Sequence, residues 1–133
     1  MMDSDIHDAV KANDGQEVKS LADADSTAVN RIAAADGQAG IAPIHIAARY
    51  GNIEMTALLY GLGADLEVRD EEHQCTALGW AAYFDQADLA EMLIRFGANI
   101  TDRCNPLKIA IDNDNQNAVR VLKMYDDREE TDE

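Results

Sequence analysis

Ile41-Ala42-Pro43-Ile44-His45-Ile46-Ala47-Ala48 is followed 34 positions later by Cys75-Thr76-Ala77-Leu78-Gly79-Trp80-Ala81-Ala82. The same offset carries Leu58-Leu59 onto Met92-Leu93 and Gly63-Ala64-Asp65 onto Gly97-Ala98-Asn99. A constant period of this size marks a supersecondary unit that cannot bury its apolar face alone and stacks on copies of itself. Working outward, Cys104-Asn105-Pro106-Leu107-Lys108-Ile109-Ala110-Ile111 with Val121-Leu122 makes a further copy. Ala9-Val10-Lys11, Glu17-Val18 and Leu21 reproduce the helical part of the unit upstream. The count is four, at approximately 5–35, 36–69, 70–103 and 104–125, with the outer two atypical, as caps with one face to water must be.

Within the second copy, Pro43 occupies a first helical position, where a missing N–H costs nothing. Ile44, Ile46, Ala47 and Ala48 follow at helical spacing. Gly51-Asn52 breaks that run, Ile53 to Tyr60 forms a second helix, and Gly61 and Gly63 supply its left-handed end. The polar stretch after Val68, with Asp70-Glu71-Glu72-His73 at its centre, reads as the tip of an exposed hairpin.

These residues resemble the ankyrin repeat: Ala42 to Ala48, Tyr50-Gly51-Asn52-Ile53-Glu54, Leu58-Leu59 and Gly61 to Asp65 in one copy, Thr76 to Ala82, Met92-Leu93 and Gly97-Ala98-Asn99 in the next. The resemblance runs from about Asp5 to about Tyr125. It implies an all-α solenoid of four helix pairs, with short hairpin-like loops projecting as fingers, that binds other proteins through finger tips and inner helices. Departures are specific. The opening Thr is Ala42 in the second copy and Asn105 in the fourth, and the His is Gly79 in the third and Lys108 in the fourth. The usual hydroxyl-to-imidazole hydrogen bond is therefore missing within every copy, which predicts modest stability at about 1 kcal/mol per bond. Gly63 to Ala77 spans 14 positions and Gly97 to Pro106 only nine, so the last finger is shortened by five. The stretch from Asp23 to Gly40 instead runs long.

At 133 residues the chain fits one domain. No apolar run approaches the roughly 18 residues a membrane span needs, and the N-terminus lacks a signal-peptide pattern. A soluble, cytoplasmic, monomeric protein is expected, with residues 1–126 as the repeat domain, 127–133 as a flexible acidic tail, and nothing else attached. Cys75 and Cys104 fall in one column of adjacent copies, where stacking should hold their backbones about 8–10 Å apart. A bridge needs Cα atoms within about 7 Å, so two reduced thiols are expected, in keeping with the cytosol.

No phosphate loop, nucleophile elbow or zinc-protease motif occurs, so catalysis and cofactors are not expected. His45 is read as hydrogen-bonded to backbone, and His7 and His73 have no patterned nucleophile beside them. Asp112-Asn113-Asp114-Asn115-Gln116-Asn117 opens like a calcium loop but has Asn117 in place of Gly and Lys123 in place of Glu. It reads as a polar turn between two helices. The formal charge of −15, from 26 acidic and 11 basic residues, disfavours nucleic acid and anionic membrane and favours a basic protein partner.

The resemblance also places the two residues after each Ala-Ala pair on the concave side: Arg49 and Tyr50, Tyr83 and Phe84, and, in the fourth copy, Asp112 and Asn113. Three of the chain's seven aromatic residues would meet there, ringed by Asp36, Asp70, Glu71 and Glu72, with His73 at the finger tip. Trp80, in contrast, faces the interior. The function expected is a non-catalytic binding module acting as an inhibitor, an immunity-type antidote or an adaptor. The alternatives are a divalent-metal or small-ligand binder using the acidic loops, and a self-associating structural subunit.

Overall fold

The computed structural model describes residues 5–126. It contains four helix pairs: α1 (Ile6–Lys11) with α2 (Gly15–Ala24), α3 (Pro43–Tyr50) with α4 (Ile53–Gly61), α5 (Ala77–Tyr83) with α6 (Ala87–Arg95), and α7 (Pro106–Asp112) with α8 (Gln116–Tyr125). The first helices of the pairs stand side by side in the order α1, α3, α5, α7, and α4, α6 and α8 form a second row behind them. The helices are short, and local capping starts them. Asp5, Asp14, Asn52, Thr76 and Asn105 each accept a backbone N–H of the first turn, while α3 relies on Pro43.

Each pair turns through one residue in the left-handed region: Asn13, Gly51, Asp85 and Asp114 occupy the equivalent place with φ of 60°, 67°, 57° and 56°. Only one is Gly; Asn and Asp tolerate the conformation because their short polar side chains bond locally. These turns also tie neighbours together. Asn52 Nδ2 donates to Asn13 Oδ1 (2.9 Å), Gln86 Nε2 to the Arg49 carbonyl (3.0 Å), and Asn115 Nδ2 to the Ala82 and Tyr83 carbonyls (2.8 and 2.7 Å). Asp85 reaches forward as well, accepting from the Ala118 N–H at the start of α8 (2.9 Å).

The core is one continuous cluster. Ala47-Ala48 and Ala81-Ala82 are fully buried, and their small size lets α3 and α5 approach closely. Leu59, Leu78, Leu89, Leu93 and Leu122 fill the space between the rows; truncating any one to Ala would cost about 2–5 kcal/mol. Trp80 is buried, as its column requires.

The fingers differ from one another. The first contains a two-stranded antiparallel ladder, β1 (Ala33–Ala35) with β2 (Gln38–Ile41), around a tip at Asp36-Gly37 in which both residues have positive φ. The long connection before it holds a 3-10 helix, Ser26–Asn30. The other two fingers are turns without a ladder, because Asp70 and Asp102 satisfy their backbone from within.

One expectation fails here. Cys75 and Cys104 are joined by a disulfide, with Cα atoms 5.1 Å apart. The shortened last finger draws Cys104 inward, and Asn105 at φ 61°, where Thr76 has φ −84°, turns the chain so that Cys104 points at Gly79. The bridge also removes the cysteine-based reason for assigning a reducing compartment. Asp126, the last residue of the expected repeat domain, is buried; residues 127–133, expected as an acidic tail, lie outside the described residues. No helix among the described residues is long and apolar enough to cross a membrane.

Candidate docking cleft

The ends of α3, α5 and α7 open onto a cleft of about 670 Å³, with Arg49, Trp80, Tyr83, Phe84, Asp112 and Asn113 in its lining and His73 and Gln38 at its edges. The rings are in contact. His45 and Trp80 centroids lie 5.1 Å apart, Trp80 and Phe84 6.0 Å, and Phe84 and Tyr83 4.9 Å in an edge-to-face arrangement. The series runs from the core to water: His45 is fully buried, Trp80 nearly so, Phe84 half-buried and Tyr83 54% exposed. Tyr50, 51% exposed, stands on the far side of Arg49. The Arg49 guanidinium carbon lies 5.6 Å from the Tyr50 ring centre and 5.3 Å from that of Phe84, within cation–π range of both.

Five of the six inner residues of the sequence expectation line one cleft, with Tyr50 beside it across Arg49; of the four carboxylates expected to ring it, Asp36 and Asp70 are committed to internal partners. Asp70 is 1% exposed. Its Oδ1 accepts from the Cys75 N–H (2.8 Å) and the Trp80 indole (3.2 Å), and its Oδ2 from the His73 N–H (2.8 Å). Burial works against its charge, yet these three donors win and hold the carboxyl below its ordinary value. Asp36 is likewise committed. Lys11 (2.8 Å), Arg49 (3.4 Å) and the Tyr50 hydroxyl (3.0 Å) converge on it, and together they outweigh burial and lower its pKa.

Both are structural residues. The signal was in the sequence, since Asp36 and Asp70 are separated by the repeat period itself. Asp102 does the same work in the shortened finger, where Arg69 grips it with both terminal nitrogens and its Oδ2 accepts the Cys104 N–H (2.8 Å).

Exposed acid at the cleft margin reduces to Glu71 and Glu72 on the second finger, with His73 beside them, and Asp112, whose carboxylate is paired with Lys108 (2.8 Å). Asn113 anchors to the Ile109 carbonyl (2.8 Å). Ile111, 52% exposed, also lies on α7.

The histidines tie one copy to the next. His7 Nε2 bonds the Ile41 carbonyl (2.7 Å), and His45 Nε2 donates to the Cys75 carbonyl (3.0 Å) while its Nδ1 accepts the Ala42 N–H (2.9 Å). The backbone N–H thus takes the place of the missing hydroxyl. Burial lowers the His45 pKa against the opposing pull of the Cys75 carbonyl and Asp70, so the ring is a neutral strut. Among the described residues no group of three or more His, Cys, Asp or Glu is placed to hold a metal ion.

A row of helix pairs with fingers and an open aromatic cleft defines a repeat solenoid of the binding type. A family profile for ankyrin repeats, three copies, matches residues 6–104 and again 44–132. The chain belongs to the ankyrin-repeat family, whose members are generally non-catalytic protein–protein interaction modules. It is 34% identical over 99 residues to the Ankyrin repeat and SAM domain-containing protein 6 of Rattus norvegicus, an overlap covering 74% of this chain and 11% of that protein. The Mus musculus protein of the same name is 33% identical over the same length. The chain spans about a tenth of the length of these relatives.

Proposed function

We propose that the chain is a non-catalytic module that docks a basic protein segment in the cleft between Tyr50 and Tyr83, with Glu71 and Glu72 of the second finger contacting its flank. Occupying a surface is then the activity itself, as in an inhibitor, an antidote or an adaptor. The observation that carries this reading is Arg49. Its guanidinium, already paired with Asp36, holds the Tyr50 and Phe84 rings in place on either side, so the exposed faces of Tyr50 and Tyr83 offer fixed apolar contacts to a partner beside the exposed carboxylates of Glu71 and Glu72. The net charge of −15 supports it at longer range by attracting cationic surfaces.

The test is capture of binding proteins on the immobilised chain, compared with Tyr50→Ala/Tyr83→Ala. Both rings are half exposed, so the variant keeps its helices. Support requires a captured protein with a basic surface whose affinity falls by tenfold or more in the variant and whose association slows between about 50 and 500 mM salt. Equal capture by both proteins, or an association rate indifferent to salt, overturns the reading.

A further inference from the structure

We propose that Cys75 and Cys104 form a reversible thiol–disulfide latch that fixes the fourth repeat to the third and thereby sets the width of the cleft. The latch stands on its own geometry; its consequence for docking rests on the function proposed above.

The first two joints between repeats are closed by an imidazole: His7 reaches the Ile41 carbonyl and His45 the Cys75 carbonyl. At the third joint the equivalent residue is Gly79. A Cβ there would collide with the Cys104 sulfur, so the space left by the missing side chain is filled by the bridge. A covalent tie has replaced a hydrogen-bonded one at a single joint, and it is the joint to the last described repeat.

Elsewhere this joint is held unevenly. At the helix-turn end Asn115 and Asp85 anchor α8 to the third repeat. At the finger end the side-chain ties are the disulfide, the Arg69–Asp102 pair, the Glu67 carboxylate on the Asn99 N–H (2.8 Å) and, from the end of α8, the Tyr125 hydroxyl on Glu91 (2.7 Å), of which the disulfide alone is covalent. Opening the bridge therefore leaves a hinge at one end of α7 and a weakened contact at the other. Asp112 and Asn113, on the opposite wall from Tyr83 and Phe84, move with it.

Both cysteines are half-buried and line the cleft, so small reagents reach them from solvent. In the oxidising direction a Cys thiolate attacks a low-molecular-weight disulfide and releases one thiolate. The second Cys thiolate attacks the resulting mixed disulfide, the intramolecular S–S bond forms, and the second small thiolate leaves. The two protein thiols are oxidised, the small disulfide is reduced to two thiols, and the two protons lost from the cysteines end on them. A pair of small thiols reverses both steps.

The experiment needs no partner. The full chain is equilibrated in glutathione buffers across a range of reduced-to-oxidised ratios. Alkylation followed by intact-mass measurement counts free thiols, and amide hydrogen exchange is followed along the chain. Expected is a single two-electron transition, with exchange across 97–112 at least tenfold faster in the reduced form and unchanged across 6–60. Cys104→Ser should match the reduced wild type in every buffer. Two free thiols at every ratio, a bridge that no ratio opens, or a bridge whose opening leaves exchange across 97–112 unaltered each overturns the latch. Because wild-type protein alone gives all three results, failure of the variant to fold does not obscure them. Loss of the latch leaves the Tyr50/Tyr83 docking test intact, and the reverse also holds.

Discussion

Replacing Asp70 separates a structural carboxylate from a surface one. Its oxygens serve three donors from a position 1% exposed. Asp70→Ala strands the Cys75 N–H and the Trp80 indole away from water, while the His73 N–H lies on an exposed residue that solvent can serve. Leaving a buried donor unsatisfied costs about 1–3 kcal/mol, so two give about 2–6 kcal/mol, lowering Tm by roughly 8–24 °C at about 4 °C per kcal/mol for a domain of this size. Asp70→Asn keeps an oxygen for Cys75 and Trp80 but sets an amide N–H against that of His73, for a smaller loss of about 1–2 kcal/mol. Urea titration followed by near-ultraviolet circular dichroism suits the case, since Trp80 is the only tryptophan and its indole is one of the donors. Glu72→Ala, on the same finger but exposed, serves as control and should stay within about 0.5 kcal/mol of wild type. If Asp70→Ala behaves like Glu72→Ala, the carboxylate is a solvated finger-tip charge and the account of the second finger is wrong.

His45 predicts a pH dependence. Its folded pKa lies below the ordinary 6.5, so its contribution is complete above about 6.5 and is lost as pH falls from there toward the folded value, at up to about 1.4 kcal/mol per pH unit. The reason is local, because a proton on Nδ1 would face the Ala42 N–H that now donates to it. His45→Gln, which can still accept and donate, should remove this part of the slope between pH 7 and 5 in urea titrations; an unchanged slope refutes it. Gly79→Ala should destabilise oxidised wild type by about 1–3 kcal/mol through collision with the Cys104 sulfur. With both cysteines replaced by Ala the same change should be neutral, or stabilising by up to about 1 kcal/mol from helix propensity. An equal effect in both backgrounds would mean that residue 79 and the bridge do not share space.

The helix pairs were legible because the second and third copies repeat their apolar pattern 34 positions apart and the outer two follow the same pattern at shifted offsets, and period is the signal that survives without side-chain detail. Trp80 followed from its column. Asp36 and Asp70 were misjudged for a physical reason: acid in a polar loop looks alike whether it faces water, satisfies the finger's own backbone as Asp70 does, or pairs with cations of neighbouring helices as Asp36 does. Their separation by one repeat period, which a free surface has no need to keep, was the available clue. The bridge was missed because column arithmetic assumes equal fingers. A deletion of five residues and a left-handed Asn105 displaced Cys104 by several ångströms from where uniform stacking would leave it, and Gly79 was read as a lost histidine instead of a space made for sulfur.

The internal use of acid changes how the charge of −15 acts on the proposed reading. Asp70 and Asp102 are buried and hydrogen-bonded to the fingers, Asp36 is held by Lys11, Arg49 and Tyr50 on α1 and α3, and Asp112 is paired with Lys108. Few unpaired carboxylates therefore stand at the cleft rim, and the remaining negative charge is carried by residues away from it along the sequence. A diffuse field of that kind acts across a Debye length of about 8 Å and governs how often a cationic surface arrives. It contributes little once the surfaces meet, because exposed ion pairs are worth about 0–1 kcal/mol each. Residence must then come from desolvating the rings, and the exposed ones are Tyr50 and Tyr83. Charge and ring thus belong to different rate constants, association to the first and dissociation to the second. Salt and Tyr50→Ala/Tyr83→Ala consequently probe the cleft independently.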